Sequence, residues 1–456
     1  MVFMAPEYSR TERLVDPAEA RGRVLALAWP LILSNITVPL LGLVDTAVVG
    51  HLPDSRYLGG VTLGAMLFSF LYWGFGFLRM GTTGLTAQAH GRGDTAALLR
   101  LLGQSLLIGV LIGVGLILLN PLMIPLGLEW LGGSAAVSAE AKIYADIRIA
   151  SAPAVLANYA LIGWFLGRGK SRVTLLLMVV NNSVNIVLDL VFVIGLGMTT
   201  AGVALASVMA DYLTLTTGII LALGVWRRWH WQPIRGVFSD RVGYRRLISV
   251  NAALFVRTLC LLFAFAFFHS QGAQMGDTTL AANAVLLQFV LLASYGLDGF
   301  AHATESLVGQ RLGAADEPGF RVLVRAALEW SLLTALGASL AFALAGEGLI
   351  ALLTDLPDVR AMATIFLPWM VAMPVLAAIS YLLDGIFIGA TRTRAMRDTM
   401  IIALLGFYLP VWWLAQPLGN HGLWLAFISF TLARSVLLGW IFAREWRRRA
   451  WFSESS

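Results

Sequence analysis

Twelve stretches of about 20 or more mostly apolar residues, each long enough to cross a bilayer as a helix, follow one another through this chain with only short polar connections between them. They run approximately over 24–50, 58–84, 97–119, 142–167, 173–195, 201–226, 245–270, 279–306, 322–345, 361–389, 399–416 and 420–443. Backbone polar groups inside lipid must bond within their own segment, so such runs fold as helices. The expected fold class is therefore all-α integral membrane, with twelve transmembrane helices. A hydrophobic share of 58%, a charged share of 13% and a mean hydropathy of +0.79 agree with a membrane resident.

The connections alternate in character. "HGRGDTAALLR", "GRGKSRV", "WRRWHWQPIRGVFSDRVGYRR", "RLGAADEPGFR" and "TRTRAMRD" follow even-numbered helices and are rich in arginine. "GLGMTT", "SQGAQMGD" and "QPLGNHG" follow odd-numbered ones and carry almost no base, Arg56 being the main exception. By the positive-inside rule both termini are cytoplasmic, and one missed span would invert the pattern beyond it. The formal net charge of +6 thus reports topology, and no nucleic-acid partner is expected. The opening "MVFMAPEYSRTERLVDPAEARGR" lacks the build of a secretory signal and reads as a retained tail. One cysteine, Cys260, excludes an internal disulfide and any Cys-rich metal site.

The sequence also repeats itself without gaps. The segment from Leu58 lies over that from Leu280, so that Gly74, Thr82, Leu85, Gln88, Gly91 and Asp94 fall on Gly296, Thr304, Leu307, Gln310, Gly313 and Asp316. At the same offset "GWFLGRGKSR" from Gly163 lies over "GIFIGATRTR" from Gly385. The chain therefore reads as two parallel six-helix repeats, an architecture of secondary transporters. The expected division is a cytoplasmic tail over 1–23, an N-lobe over 24–226, a cytoplasmic linker over 227–246, a C-lobe over 247–443 and a second tail over 444–456.

Carboxylates at mid-bilayer cost about 2.5 to 3.5 kcal/mol on insertion scales, so each needs a partner, a proton or a water-filled cavity. Asp45, Asp189, Asp298, Glu305 and Asp384 all fall within expected spans. Asn182, Asn185 and Asp189 follow i, i+3, i+7 spacing on one helix face. Asp45 could face that stripe, and Asn158 and Asn181 add amides nearby in sequence. Burial and a like-charged neighbour both disfavour an ionised carboxylate, which marks Asp45 and Asp189 as a candidate proton site. Sodium is the rival ion, since carboxylate, amide and backbone oxygens also cage a hard cation. A polar network that only glues helices together is the bland alternative.

In the second half Asp298, His302 and Glu305 share a face at i, i+4, i+7, and Asp384 lies on helix ten. With Asn182 they are substrate-cavity candidates. Arg257 and Arg434 also fall within spans, so buried ion pairing competes with that reading. Helix one carries Pro30 and Pro39, each of which removes a helical hydrogen bond and invites a bend.

Enzyme motifs fail on inspection. "WFLGRGKS" ends like a phosphate-binding loop, but Trp164 stands where the first glycine is required and no strand precedes it. Neither an HExxH helix nor a GxSxG elbow occurs.

The segments "SNITVPLLGLVDTAVVGHL", "RMGTTGLTAQAHG", "NIVLDL", "YGLDGFAHA" and "YLLDGIFIGATR" resemble the multidrug and toxic compound extrusion (MATE) transporters, DinF branch, and the likeness runs from about Val24 to Trp446. That resemblance implies a V-shaped pair of lobes exporting organic, often cationic or amphiphilic, compounds in exchange for protons or sodium ions. It implies that Asp45 is the helix-one carboxylate, Asn185 and Asp189 the helix-five pair, Asn158 the helix-four amide and Pro30 the bend of helix one. Some branches carry a coupling glutamate on helix seven, and "LISVNAALFVRTLCLLFAFAFFHSQ" has no acid, which favours protons bound in the first lobe. The expectation is a proton-coupled antiporter, monomeric, without cofactor or metal, in a bacterial inner membrane. A flippase of lipid-linked precursors is the alternative, and Arg79, Arg148, Arg257 and Arg434 are the residues that would serve it.

Overall fold

The computed structural model describes residues 16–50, 52, 54–230 and 237–452, without the side chains at 38–41, 43, 45 and 46. Twelve long helices occupy them: α1 Pro17–Gly50, α2 Ser55–Arg92, α3 Thr95–Leu131, α4 Ala135–Gly167, α5 Ser171–Gly195 and α6 Thr200–Arg228, then α7 Arg241–Gln274, α8 Asp277–Gly313, α9 Glu317–Leu353, α10 Pro357–Gly389, α11 Thr393–Leu418 and α12 Asn420–Arg447. Eleven of them, α2 to α12, are long and apolar enough to cross a membrane by the described residues alone, and α1 adds a twelfth of 34 residues. No strand occurs among the described residues. Large apolar side chains such as Leu118, Ile194, Leu344 and Trp413 stand mostly exposed on the helices, as a lipid solvent demands.

Packing divides the chain into two compact units. The first holds Leu33–His90 and Asp94–Leu247, and the second holds residues 16–32, the turn Gly91–Gly93 and everything described from Ile248 onward. Within the first, α3 and α2 lie along α4, and α6 packs on both α4 and α5. The second repeats these adjacencies, with α8 and α9 along α10 and α12 on both α10 and α11.

The internal repeat is visible in single atoms. A Cβ at Gly163 would sit 2.5 Å from the Arg79 carbonyl oxygen, and one at Gly385 would collide with the carbonyl of Ala301, the residue that the repeat sets over Arg79. Gly167 and Gly389 meet the carbonyls of Thr83 and Glu305 in the same way. Close approach of α2 to α4, and of α8 to α10, therefore requires glycine at these crossings. Asp94 caps α3 by accepting from the Ala97 amide at 2.8 Å, and Asp316 caps α9 by accepting from Gly319 at 3.0 Å. Three turns also recur with positive φ: Gly93 and Ala315, Gly169 and Thr391, Gly197 and Gly419.

Each unit has its own apolar core. Leu161, Trp164, Phe165, Leu177 and Ala222 centre that of the first. Phe268, Tyr408, Trp424 and Phe427 lie within that of the second. There Asn283 and Asn420 exchange amide hydrogen bonds at 2.8 and 2.9 Å, and Trp424 Nε1 donates to Asn283 at 3.0 Å. Such a reciprocal pair satisfies buried polar groups while fixing the register of α8 on α12.

Candidate functional site

In the first unit, polar residues of α5 meet polar residues of α6 along one seam. Asp189 is fully buried at the end of the regular part of α5, where the helix widens into a π-helical stretch over Leu190–Gly195. Such widenings are frequent at functional sites. With its Nδ2 toward Asp189 Oδ2 at 2.8 Å, Asn185 also accepts from Ser207 Oγ at 2.9 Å, which satisfies both ends of the amide. Asn182 turns to α1 and donates to the Thr37 carbonyl at 3.3 Å. The i, i+3, i+7 stripe thus reaches two neighbours, α1 through Asn182 and α6 through Asn185.

One turn before Asn185, Asn181 donates to Asp211 Oδ1 at 3.0 Å and to Thr214 Oγ1 at 3.2 Å. Asn158 on α4 donates to the Asp211 carbonyl at 3.0 Å. Arg148 closes the cluster, with Nη1 2.6 Å from Asp211 Oδ2 and a short bond to Ser151. Ser151 in turn meets the Tyr72 hydroxyl at 3.2 Å, and the Arg148 guanidinium lies 5.4 Å from the Tyr72 ring centre. Asp211 is a buried acid that the sequence reading does not name. It falls inside the sixth expected span, and a count of every carboxylate in every span would have found it.

Asp45 belongs to α1, but its side chain lies outside the described residues, as does that of Pro39. Pro30 is buried, and α1 is helical on both sides of it. Asn158 and Asn185 are buried with Asp189, so the helix-four amide and the helix-five pair share one unit and are linked through α6.

In the second unit, Asp384 on α10 receives both Arg257 from α7 and Arg434 from α12, the latter at 2.7 Å. Asp384 was grouped above with Asp298, His302 and Glu305, and here it is ion-paired. On α8, Asp298 and His302 are half-buried and Glu305 is fully buried. Ser294 and Tyr381 share a 3.0 Å hydroxyl bond one turn before Asp298 and Asp384. They line a cavity of about 20 Å³ with Phe289, Phe342, Met370 and Met373, enough for a water molecule. Among the described residues no group of three or more His, Cys, Asp or Glu is placed to hold a metal ion.

The loop-like motif "WFLGRGKS" is the last turn of α4, the turn that follows it and the first residue of α5. Trp164 is fully buried and donates to the Leu98 carbonyl at 2.9 Å, and the Arg168 guanidinium lies 4.5 Å from Trp164 and 5.0 Å from Trp229. These groups pack the end of the unit.

Comparison with known proteins follows the same division. The MatE family profile matches residues 30–191 and again 253–414. The chain is 45% identical to DNA damage-inducible protein F of Escherichia coli (strain K12) over 434 residues, 94% of this chain and 93% of that protein. It is 25% identical to the multidrug resistance protein NorM of Vibrio cholerae over 91% of this chain and 93% of that one. An outward-facing multidrug resistance MATE family transporter superposes with a TM-score of 0.82 at 20% identity, over 96% of this chain and 97% of that one. A MATE in the bent conformation gives 0.84 at 20% identity, over 96% and 97%. Two matches to one profile, one in each repeat, and near-complete alignment with DNA damage-inducible protein F make this chain a member of the MatE family, the multidrug and toxic compound extrusion transporters, in their DinF branch.

Proposed function

We propose that the protein is a secondary active antiporter that exports organic, often cationic, compounds in exchange for protons by alternating access. The observation that carries this reading is Asp189, a fully buried carboxylate on a membrane-spanning helix, bonded by Asn185 and set at a π-helical widening. A carboxylate so placed is held by a proton or a cation, and the two compete. The named relatives supply the substrate class, since NorM of Vibrio cholerae is a multidrug resistance protein.

Asp45 is assigned the second carboxylate of this site, fifteen residues after Pro30 on α1. Asn182 supports a link to that helix, because its amide holds the Thr37 carbonyl between the two prolines. Each proline deprives α1 of one amide donor, which leaves this stretch easier to bend. A proton taken up at Asp189 and Asp45 alters the α5 to α1 seam, and it drives transport only so far as it favours one state over the other. Sodium is the rival coupling ion. The protein works as a monomer, without cofactor or metal, in a bacterial cytoplasmic membrane with both termini inside.

Reconstituted liposomes with pH and sodium gradients imposed separately test the reading. Efflux of a cationic dye should follow the pH gradient and fall at least tenfold in Asp189→Asn and in Asp45→Asn. Efflux that follows only the sodium gradient, or coupled efflux unchanged in both variants, overturns it.

A further inference from the structure

One buried cluster of the second unit holds more positive charge than its bonded carboxylate neutralises. Arg257 and Arg434 both donate through Nη2 to one atom, Oδ2 of Asp384. The three residues are 7, 8 and 7% exposed, so each is more than nine-tenths buried. Arginine keeps its proton in proteins, so two full positive charges meet one carboxylate. Asp384 is the only carboxylate in ion-pair range of either guanidinium among the described residues. Nε of both arginines and Oδ1 of Asp384 are buried without a hydrogen-bond partner. The Phe430 ring, 5.6 Å from the Arg434 guanidinium, attracts it through its quadrupole but supplies no counter-charge.

A buried charge without a counter-charge is costly, and guanidinium forks are suited to carboxylate and phosphate groups. Both arginine side chains keep a small accessible edge. We propose that Arg257 and Arg434 form a binding site for a monovalent anion, either a free inorganic ion or the anionic group of a transported molecule. Asp384 holds the two guanidiniums together and leaves one positive charge for the ligand. This charge pattern is opposite in sign to the carboxylate site of the first unit.

The test uses the full chain in lipid nanodiscs, titrated with sodium chloride or sodium dihydrogen phosphate, with Arg434→Met titrated identically as the reference for bulk ionic strength. The unfolding midpoint of the wild type should rise saturably with the small anion. Asp384→Asn removes the carboxylate that both guanidiniums share, so its half-saturating concentration should fall at least fivefold, an outcome that a purely structural ion pair does not give. Arg434→Met leaves a balanced Arg257–Asp384 pair and should lose the response, while Arg434→Lys, which keeps the charge, should retain part of it. A wild type and an Asp384→Asn variant that both respond no more than Arg434→Met overturn the proposal.

Where the anion binds, efflux of a zwitterionic dye and of its cationic ester identifies its source. Slowing of the zwitterion alone in Arg434→Met assigns the site to substrate, and equal rates for the two assign it to an inorganic ion. The binding measurement needs no transport, so it succeeds or fails independently of proton coupling.

Discussion

Thr391 holds a left-handed backbone, φ 55°, at the turn between α10 and α11, where its counterpart in the first repeat is Gly169 at φ 71°. For a β-branched residue this conformation costs about 1–2 kcal/mol, whereas glycine adopts it freely. Thr391→Gly should therefore raise thermal stability by up to about 1 kcal/mol, after the greater freedom of the unfolded chain takes back about 0.4–1 kcal/mol. The opposite change at a helix crossing should do the reverse. Gly385→Ala places a methyl group against the Ala301 carbonyl, where backbone cannot yield cheaply. A loss of about 1–3 kcal/mol is expected. Differential scanning of detergent-solubilised protein checks both.

Among the helices, those of the first unit are tied together by the cluster around Asp211. Arg148→Met should lower stability by about 3–5 kcal/mol, because it strands the Asp211 carboxylate, while Arg148→Met with Asp211→Leu should recover most of that loss. Chemical unfolding of the single and double variants measures the difference. The spans were legible because lipid fixes both the length and the polarity of a helix, and the repeat because it aligned without gaps. The cluster was not, because Arg148 and Asp211 lie 63 residues apart and no spacing rule links them. Asn181 lies off the stripe for a smaller reason. One residue turns a helix by about 100°, and that step carries Asn181 toward α6 while Asn182 reaches α1. Arg257 and Arg434 were legible as pairing candidates, but their convergence on one oxygen of Asp384 needed coordinates.

For the whole molecule, the two units do not divide the chain at a single point. The beginning of α1 packs in the second unit, where Arg21 meets Glu329 at 2.6 Å and Trp330 donates to the Arg21 carbonyl at 3.2 Å. The beginning of α7 packs in the first, where Arg246 donates to Gln88 at 3.1 Å. Residues 1–236 made alone should therefore be protease-sensitive, and co-expression with residues 237–456 should restore a complex that co-purifies. The two six-helix halves also finish alike. Trp229 lies 6.3 Å from Trp164 in the first half, and Trp451, its equivalent in the second, is buried 5.5 Å from Phe387 and 4.8 Å from the Arg392 guanidinium. Arg392 also bonds Glu445 and the Ala450 carbonyl. The last residues described are thus masonry rather than trailing thread, and fusion partners or purification handles belong after Ser456, on a spacer that leaves this tryptophan seated.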